Sequence, residues 1–93
     1  MIKNKYQVNY THIVQGMSGI FNTLRSDFWK EETYEGCKKA INKILETHKG
    51  HILEMSATYF FENGSFISVD FGKSEDSIRN NINKITYLDI KEN

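Results

Sequence analysis

The sequence predicts an α+β domain, an antiparallel sheet of four or five strands with two helices on one face. The expected order is ββαββα, with an optional closing strand. Three observations lead there. Residues 5–14 and 53–71 alternate apolar and polar side chains as half-buried strands do. Two segments repeat apolar residues at helical spacing behind a Thr or Ser cap. The Glu62-Asn63-Gly64 turn joins two of the strand patterns into a hairpin. A ferredoxin-like βαββαβ order, with residues 15–32 as a long irregular connection, is the alternative. The 93 residues make one domain, 1–93, and a chain of this length buries only roughly 60–65% of its unfolded surface around a single core.

Along the chain, Tyr6, Val8, Tyr10, His12 and Val14 share one face of the first strand, with Lys5, Gln7, Asn9 and Thr11 opposite. Gln15 to Gly19 reads as a loop whose two glycines permit a reversal. Ile20 to Phe28 is a weaker strand, with Ile20, Leu24 and Phe28 on one face. Thr33 then starts a helix that runs to Lys49, with Tyr34, Cys37, Ile41, Ile44, Leu45 and His48 along one side and Gly50 as its stop. Ser74 caps a second, shorter helix, with Glu75 and Asp76 in its first turn and Ile78, Ile82 and Ile85 as its stripe. Tyr87, Leu88 and Ile90 read as a closing edge strand. The two helices resemble each other at an offset of 41 residues, Ile41-Asn42-Lys43-Ile44 recurring as Ile82-Asn83-Lys84-Ile85. A doubled ββα unit and a coincidence of composition are both open readings of that likeness.

The second hairpin specifies its own register. A three-residue loop that ends on a glycine at positive φ pairs Phe61 with Ser65, Phe60 with Phe66, Tyr59 with Ile67 and Thr58 with Ser68. Ala57 then meets Val69, Ser56 meets Asp70 and Met55 meets Phe71. One face is apolar and the other polar, apart from the Phe60/Phe66 pair near the tip. A two-residue turn would shift the partner by one, setting Ala57 and Tyr59 beside Asp70 and Ser68. The longer loop is therefore expected.

Composition narrows the function classes. Twelve basic and twelve acidic residues give zero formal charge, split as +3 over residues 1–49 and −3 over residues 50–93. A neutral chain is poorly suited to nucleic acid, whose affinity comes largely from phosphate neutralisation. No segment approaches the ~18 apolar residues of a membrane span, and the first residues lead into a strand pattern rather than a secretory signal. One cysteine makes no internal disulfide, which fits a reducing cytoplasm. Ten lysines against two arginines, with eleven isoleucines and nine asparagines, is a bias typical of AT-rich bacterial or phage genomes.

Chemistry finds little support. Cys37 and His48 lie on one helical face about 16 Å apart, too far for one zinc, and Gly50 separates His48 from His51. Cys37 and His12 read as core residues. Ser56 and Asp70 face each other without a base, and Gly16-Met17-Ser18-Gly19 lacks the lysine of a phosphate loop. No catalytic residue, metal or cofactor is assigned.

The expected function is therefore a small non-enzymatic, cytoplasmic protein-binding module that inhibits or regulates a larger enzyme. Domains of this size populate phage and mobile-element inhibitors of bacterial defence, of the anti-CRISPR kind, and toxin-immunity proteins. The candidate partner site is Phe60 and Phe66 with Thr58, Ser68, Glu62 and Asn63, an aromatic pair within a polar rim. A sheet face that binds single-stranded nucleic acid or a small ligand is the alternative. A homodimer through an open sheet edge or the aromatic face is a third reading.

Overall fold

The structure, a computed structural model, describes residues 3–16 and 22–91. Its elements are β1 (Tyr6–Gln15), β2 (Asn22–Glu31), α1 (Tyr34–Thr47), β3 (Ile52–Phe60), β4 (Phe66–Gly72), α2 (Glu75–Asn80) and a 3-10 helix (Ile82–Leu88). The four strands form one antiparallel sheet in the order β2-β1-β3-β4. This is the expected α+β class in its ββαββα order, and the ferredoxin-like alternative is excluded because Asn22–Glu31 pairs with β1 along its whole length. The loop expected at 15–19 falls mostly outside the described residues, as do Ile20 and Phe21.

Alternation along each strand decides what faces the helices. Val8, Met55, Ala57 and Phe71 are fully buried on one sheet face, against Cys37, Ile41 and Ile44 of α1, Ile78 of α2 and Leu88 of the 3-10 helix. Thr33 caps α1, its Oγ1 accepting from the Gly36 amide at 2.9 Å, and Ser74 caps α2 through the Ser77 amide at 3.2 Å. The strand order places β1 and β3 at the centre, so each ββ pair and its following helix occupy matching halves of the sheet.

The hairpin register matches the expectation from Phe60↔Phe66 to Ser56↔Asp70, and Gly64 sits at φ +89°. The Phe61 amide donates to the Ser65 carbonyl at 2.8 Å, closing the turn. Three expectations fail, the first being the second helix, which stops at Asn80 short of the Ile82 and Ile85 expected in its stripe. Met55 pairs with Gly72 rather than Phe71, because a bulge between Met55 and Ser56 leaves Phe71 as the extra residue on β4. Gly72 takes φ +134°, and a Cβ there would collide with the Ser77 side chain. Residues 87–90 form no strand: the chain from Ile82 to Leu88 winds as a 3-10 helix. The reason is visible in the spacing. Ile82, Ile85 and Leu88 recur every three residues, the period of that helix, so one side meets the core.

Candidate functional site

All the helical packing among the described residues falls on one side of the sheet, and no described element covers the other. Four rows of side chains share that open face. From β2 come Leu24, Ser26, Phe28 and Lys30; from β1, Gln7, Asn9, Thr11 and Ile13; from β3, Glu54, Ser56, Thr58 and Phe60; and from β4, Phe66, Ser68 and Asp70. Neutral polar groups dominate the middle. Gln7 Nε2 donates to Asn9 Oδ1 at 2.8 Å, Thr11 and Ser26 hydroxyls lie 3.2 Å apart, and Thr58 and Ser68 hydroxyls 2.7 Å apart. A shallow hollow of about 190 Å³ opens among Asn9, Thr11, Ser26, Phe28, Glu54 and Ser56.

The six residues singled out from sequence lie together at one end of this face. The Phe60 and Phe66 rings are 6.0 Å apart, tilted by 51°. Phe66 is 61% exposed and Phe60 half-buried, so no element among the described residues covers the pair. Thr58 is buried between its neighbours and reaches Ser68, while Glu62 and Asn63 project from the turn. Asn63 Oδ1 accepts from the Ser65 amide and hydroxyl, at 3.0 and 2.6 Å, and so stiffens the tip beside the aromatic pair.

A second cluster, on the helix side near the β1–β2 end, was not legible in the sequence. His12 is only 5% exposed, and its Nε2 lies 2.8 Å from Asp27 Oδ2. Arg25 Nε approaches the same oxygen at 3.2 Å. The hydrogen bond from His12, with Arg25 beside it, holds the Asp27 carboxyl below its usual range. The His12 ring stacks against His48 at 4.2 Å and Tyr10 at 5.3 Å. Burial, reinforced by the neighbouring His12, pushes the His48 pKa down from its ordinary 6.5. A cleft of about 410 Å³ lies alongside, among His12, Arg25, Thr47, His48 and His51.

That cluster contains the parts of a base held by a carboxylate, but not their catalytic arrangement. His12 Nδ1, the nitrogen left over, has no hydrogen-bond partner among the described residues and is shielded from solvent. Thr47 supplies the one hydroxyl side chain lining the cleft among the described residues. Among the described residues, no group of three or more His, Cys, Asp or Glu side chains converges on a metal position. Cys37 is fully buried and its thiol is pushed up to about 11, chiefly by burial, the state of an unreactive core thiol. What the cluster does achieve is to fix Asp27 and Arg25 in place on β2.

Sequence reasoning missed this cluster because it depends on the β1–β2 register. His12 stands opposite Arg25, and Tyr10 opposite Asp27. The turn that sets this pairing carries no signal as definite as Glu62-Asn63-Gly64. Comparison with protein-family models, with curated proteins and with solved structures finds no match.

Proposed function

We propose that this chain is a non-catalytic protein-binding module that sets the uncovered face of its sheet against a larger enzyme and inhibits or regulates it. The observation that carries the reading is the exposed Phe60/Phe66 pair on a bare sheet face, rimmed by Thr58, Ser68, Glu62 and Asn63. Exposed aromatics within a polar rim are the usual anatomy of an interface centre. Charge argues against the nucleic-acid alternative: Glu54 and Asp70 share the face with Lys30, and Glu62 stands at its tip. Phosphate contact needs the opposite balance. The composition bias and small size support a phage or mobile-element inhibitor of bacterial defence, or a toxin-immunity protein, acting in a bacterial cytoplasm. No helix among the described residues is long and apolar enough to cross a membrane.

The test is the Phe60→Ser/Phe66→Ser double variant beside the parent chain. Both are used as bait in an extract of the native host, and the captured protein is then purified and its affinity measured. The expected result is an intact circular dichroism spectrum with affinity lower by at least about thirty-fold, the loss that even one interface aromatic contributing ~2 kcal/mol would give. Unchanged affinity, or tight salt-sensitive binding of oligonucleotides by the parent, would overturn the reading.

A further inference from the structure

The outer edge of β2 has no neighbour among the described residues, because β1 is its one partner in the sheet. It is ten residues long and contains neither proline nor a bulge, two of the devices that blunt an edge, and its four charged residues, Arg25, Asp27, Lys30 and Glu31, balance in sign. It is also very little buried. Leu24 is 69% exposed, Phe28 62% and Trp29 38%. Three large apolar side chains thus stand in the open on one edge strand.

Its backbone polarity follows from β1. The Lys5 carbonyl and the Ile13 amide both bond toward β3, so the even-numbered residues of β1 turn toward β2. Through the register, the odd-numbered residues of β2 bond back to β1. The amides and carbonyls of Asn22, Leu24, Ser26, Phe28 and Lys30 therefore point outward, toward the open edge.

We infer that the partner at this edge is a second copy of the chain, with the two β2 strands pairing antiparallel about a two-fold axis through Ser26. In that register Leu24 lies opposite the second copy's Phe28 and Arg25 opposite its Asp27, each pair occurring twice. Asn22 meets Lys30, Thr23 meets Trp29, and Ser26 meets itself. Every outward backbone group then faces an outward group. The open face gains two apolar pairs, and the helix face gains two ion pairs across the axis. Neighbouring registers are worse. Centring on Asp27 or on Arg25 sets like charges directly opposite. Centring on Leu24 or Phe28 slides one end of each strand past the other.

The buried cluster gains a role in this arrangement. His12 anchors the Asp27 carboxylate from behind at 2.8 Å, and Arg25 is already aligned with it at 3.2 Å. The charged pair is thus held in position before the second copy arrives, which lowers the ordering cost of association. The contact is isologous and closes at two copies. It joins the two four-stranded sheets into one and leaves both Phe60/Phe66 sites accessible.

Sedimentation equilibrium of the parent chain, up to about 0.5 mM so that even a weak contact is populated, should give twice the 10.9 kDa chain mass. A single-chain mass throughout, or species larger than two copies, would overturn the proposal. The register is tested by charge reversal. Arg25→Asp alone and Asp27→Arg alone each place like charges opposite and should sediment as single chains. An equimolar mixture restores both pairings and should recover the two-chain mass, whereas a mixture that stays at one chain overturns the register. Because Asp27→Arg also removes the partner of His12, Ser26→Cys supplies an independent check. Directly opposed, hydrogen-bonded residues have Cα atoms ~5.5 Å apart, within disulfide range. Mild oxidation should link this variant into covalent pairs, while Arg25→Cys should not cross-link with itself; the reverse pattern overturns the two-fold position. None of these measurements involves the enzyme partner, so their failure leaves the open-face reading standing and its failure leaves theirs.

Discussion

Tyr6 shows how much a single side chain can fasten in a small domain. Its ring is 5% exposed and lies edge-on to Tyr59, with centroids 5.0 Å apart, while its hydroxyl donates to the Leu88 carbonyl at 2.9 Å. The bond ties the start of the first strand to the end of the last helix. Burial, together with the neighbouring Tyr59, raises the phenol to about 12, so it remains a donor through the whole working pH range. Tyr6→Phe keeps the ring but orphans a buried carbonyl. The expected loss is about 1–3 kcal/mol, read as a lower midpoint in urea denaturation with an unchanged slope; an unshifted midpoint would mean that water replaces the hydroxyl. The alternation in the sequence places Tyr6 on the apolar face. Its partner, 82 residues away, depends on the chain ending as a 3-10 helix rather than the expected strand.

At the scale of elements, α1 is the one whose sequence and structure agree most fully. Thr33 caps it, Gly50 follows it at φ +84°, and the stripe of Cys37, Ile41, Ile44 and Leu45 is the buried side. Ile41 and Ile44 are each 1% exposed and belong to the same core as Met55, Tyr59 and Val69. Ile41→Ala should therefore cost roughly 2–5 kcal/mol, a large part of the stability of so small a domain, and thermal denaturation should show it as a marked drop in midpoint. The β3–β4 hairpin was equally legible down to its tip, since a one-residue slip would have turned its apolar residues outward. Only its far end departs, where the bulge and Gly72 admit the Ser77 side chain. By contrast, β2 shows little alternation in its sequence, and its near-complete exposure explains why. A strand with little buried on either face has little alternation to display.

The whole molecule should respond to mild acid through its histidine cluster. Around His48 stand His12 from β1, Asp27 and Arg25 from β2, and His51 after α1. Burial and His12 lower the His48 pKa, and Asp27 only partly offsets them. Above pH 6.5 His48 is neutral in both folded and unfolded chains, and its contribution is fully present. As the pH falls below 6.5 the unfolded chain takes up the proton first, so stability drops until the lowered folded pKa is passed. Asp27 acts further down: its depressed pKa adds stability above its unfolded value near 3.8, lost as pH falls through the folded one. Melting temperature should therefore decline from pH 7 to pH 5, and His48→Gln should flatten that decline. An equal slope in the variant would place the titration elsewhere.

The sequence by itself determined the class of fold, the two capped helices, the β3–β4 pairing and the presence of Phe60 and Phe66 on one strand-paired patch. Each is a local matter: a cap, a period of 3.6 or 2, or a turn whose glycine fixes the register. The tertiary structure decided what periodicity leaves open. It settled that no described element covers the aromatic pair on the face opposite the helices, and that residues 82–88 complete the core as a 3-10 helix. It brought His12, Asp27 and His48 together from three separate elements. It also set β2 at an edge rather than in the middle of the sheet. These outcomes rest on contacts between segments far apart in the chain, where many arrangements satisfy the same local pattern and only the packing of all of them at once selects one.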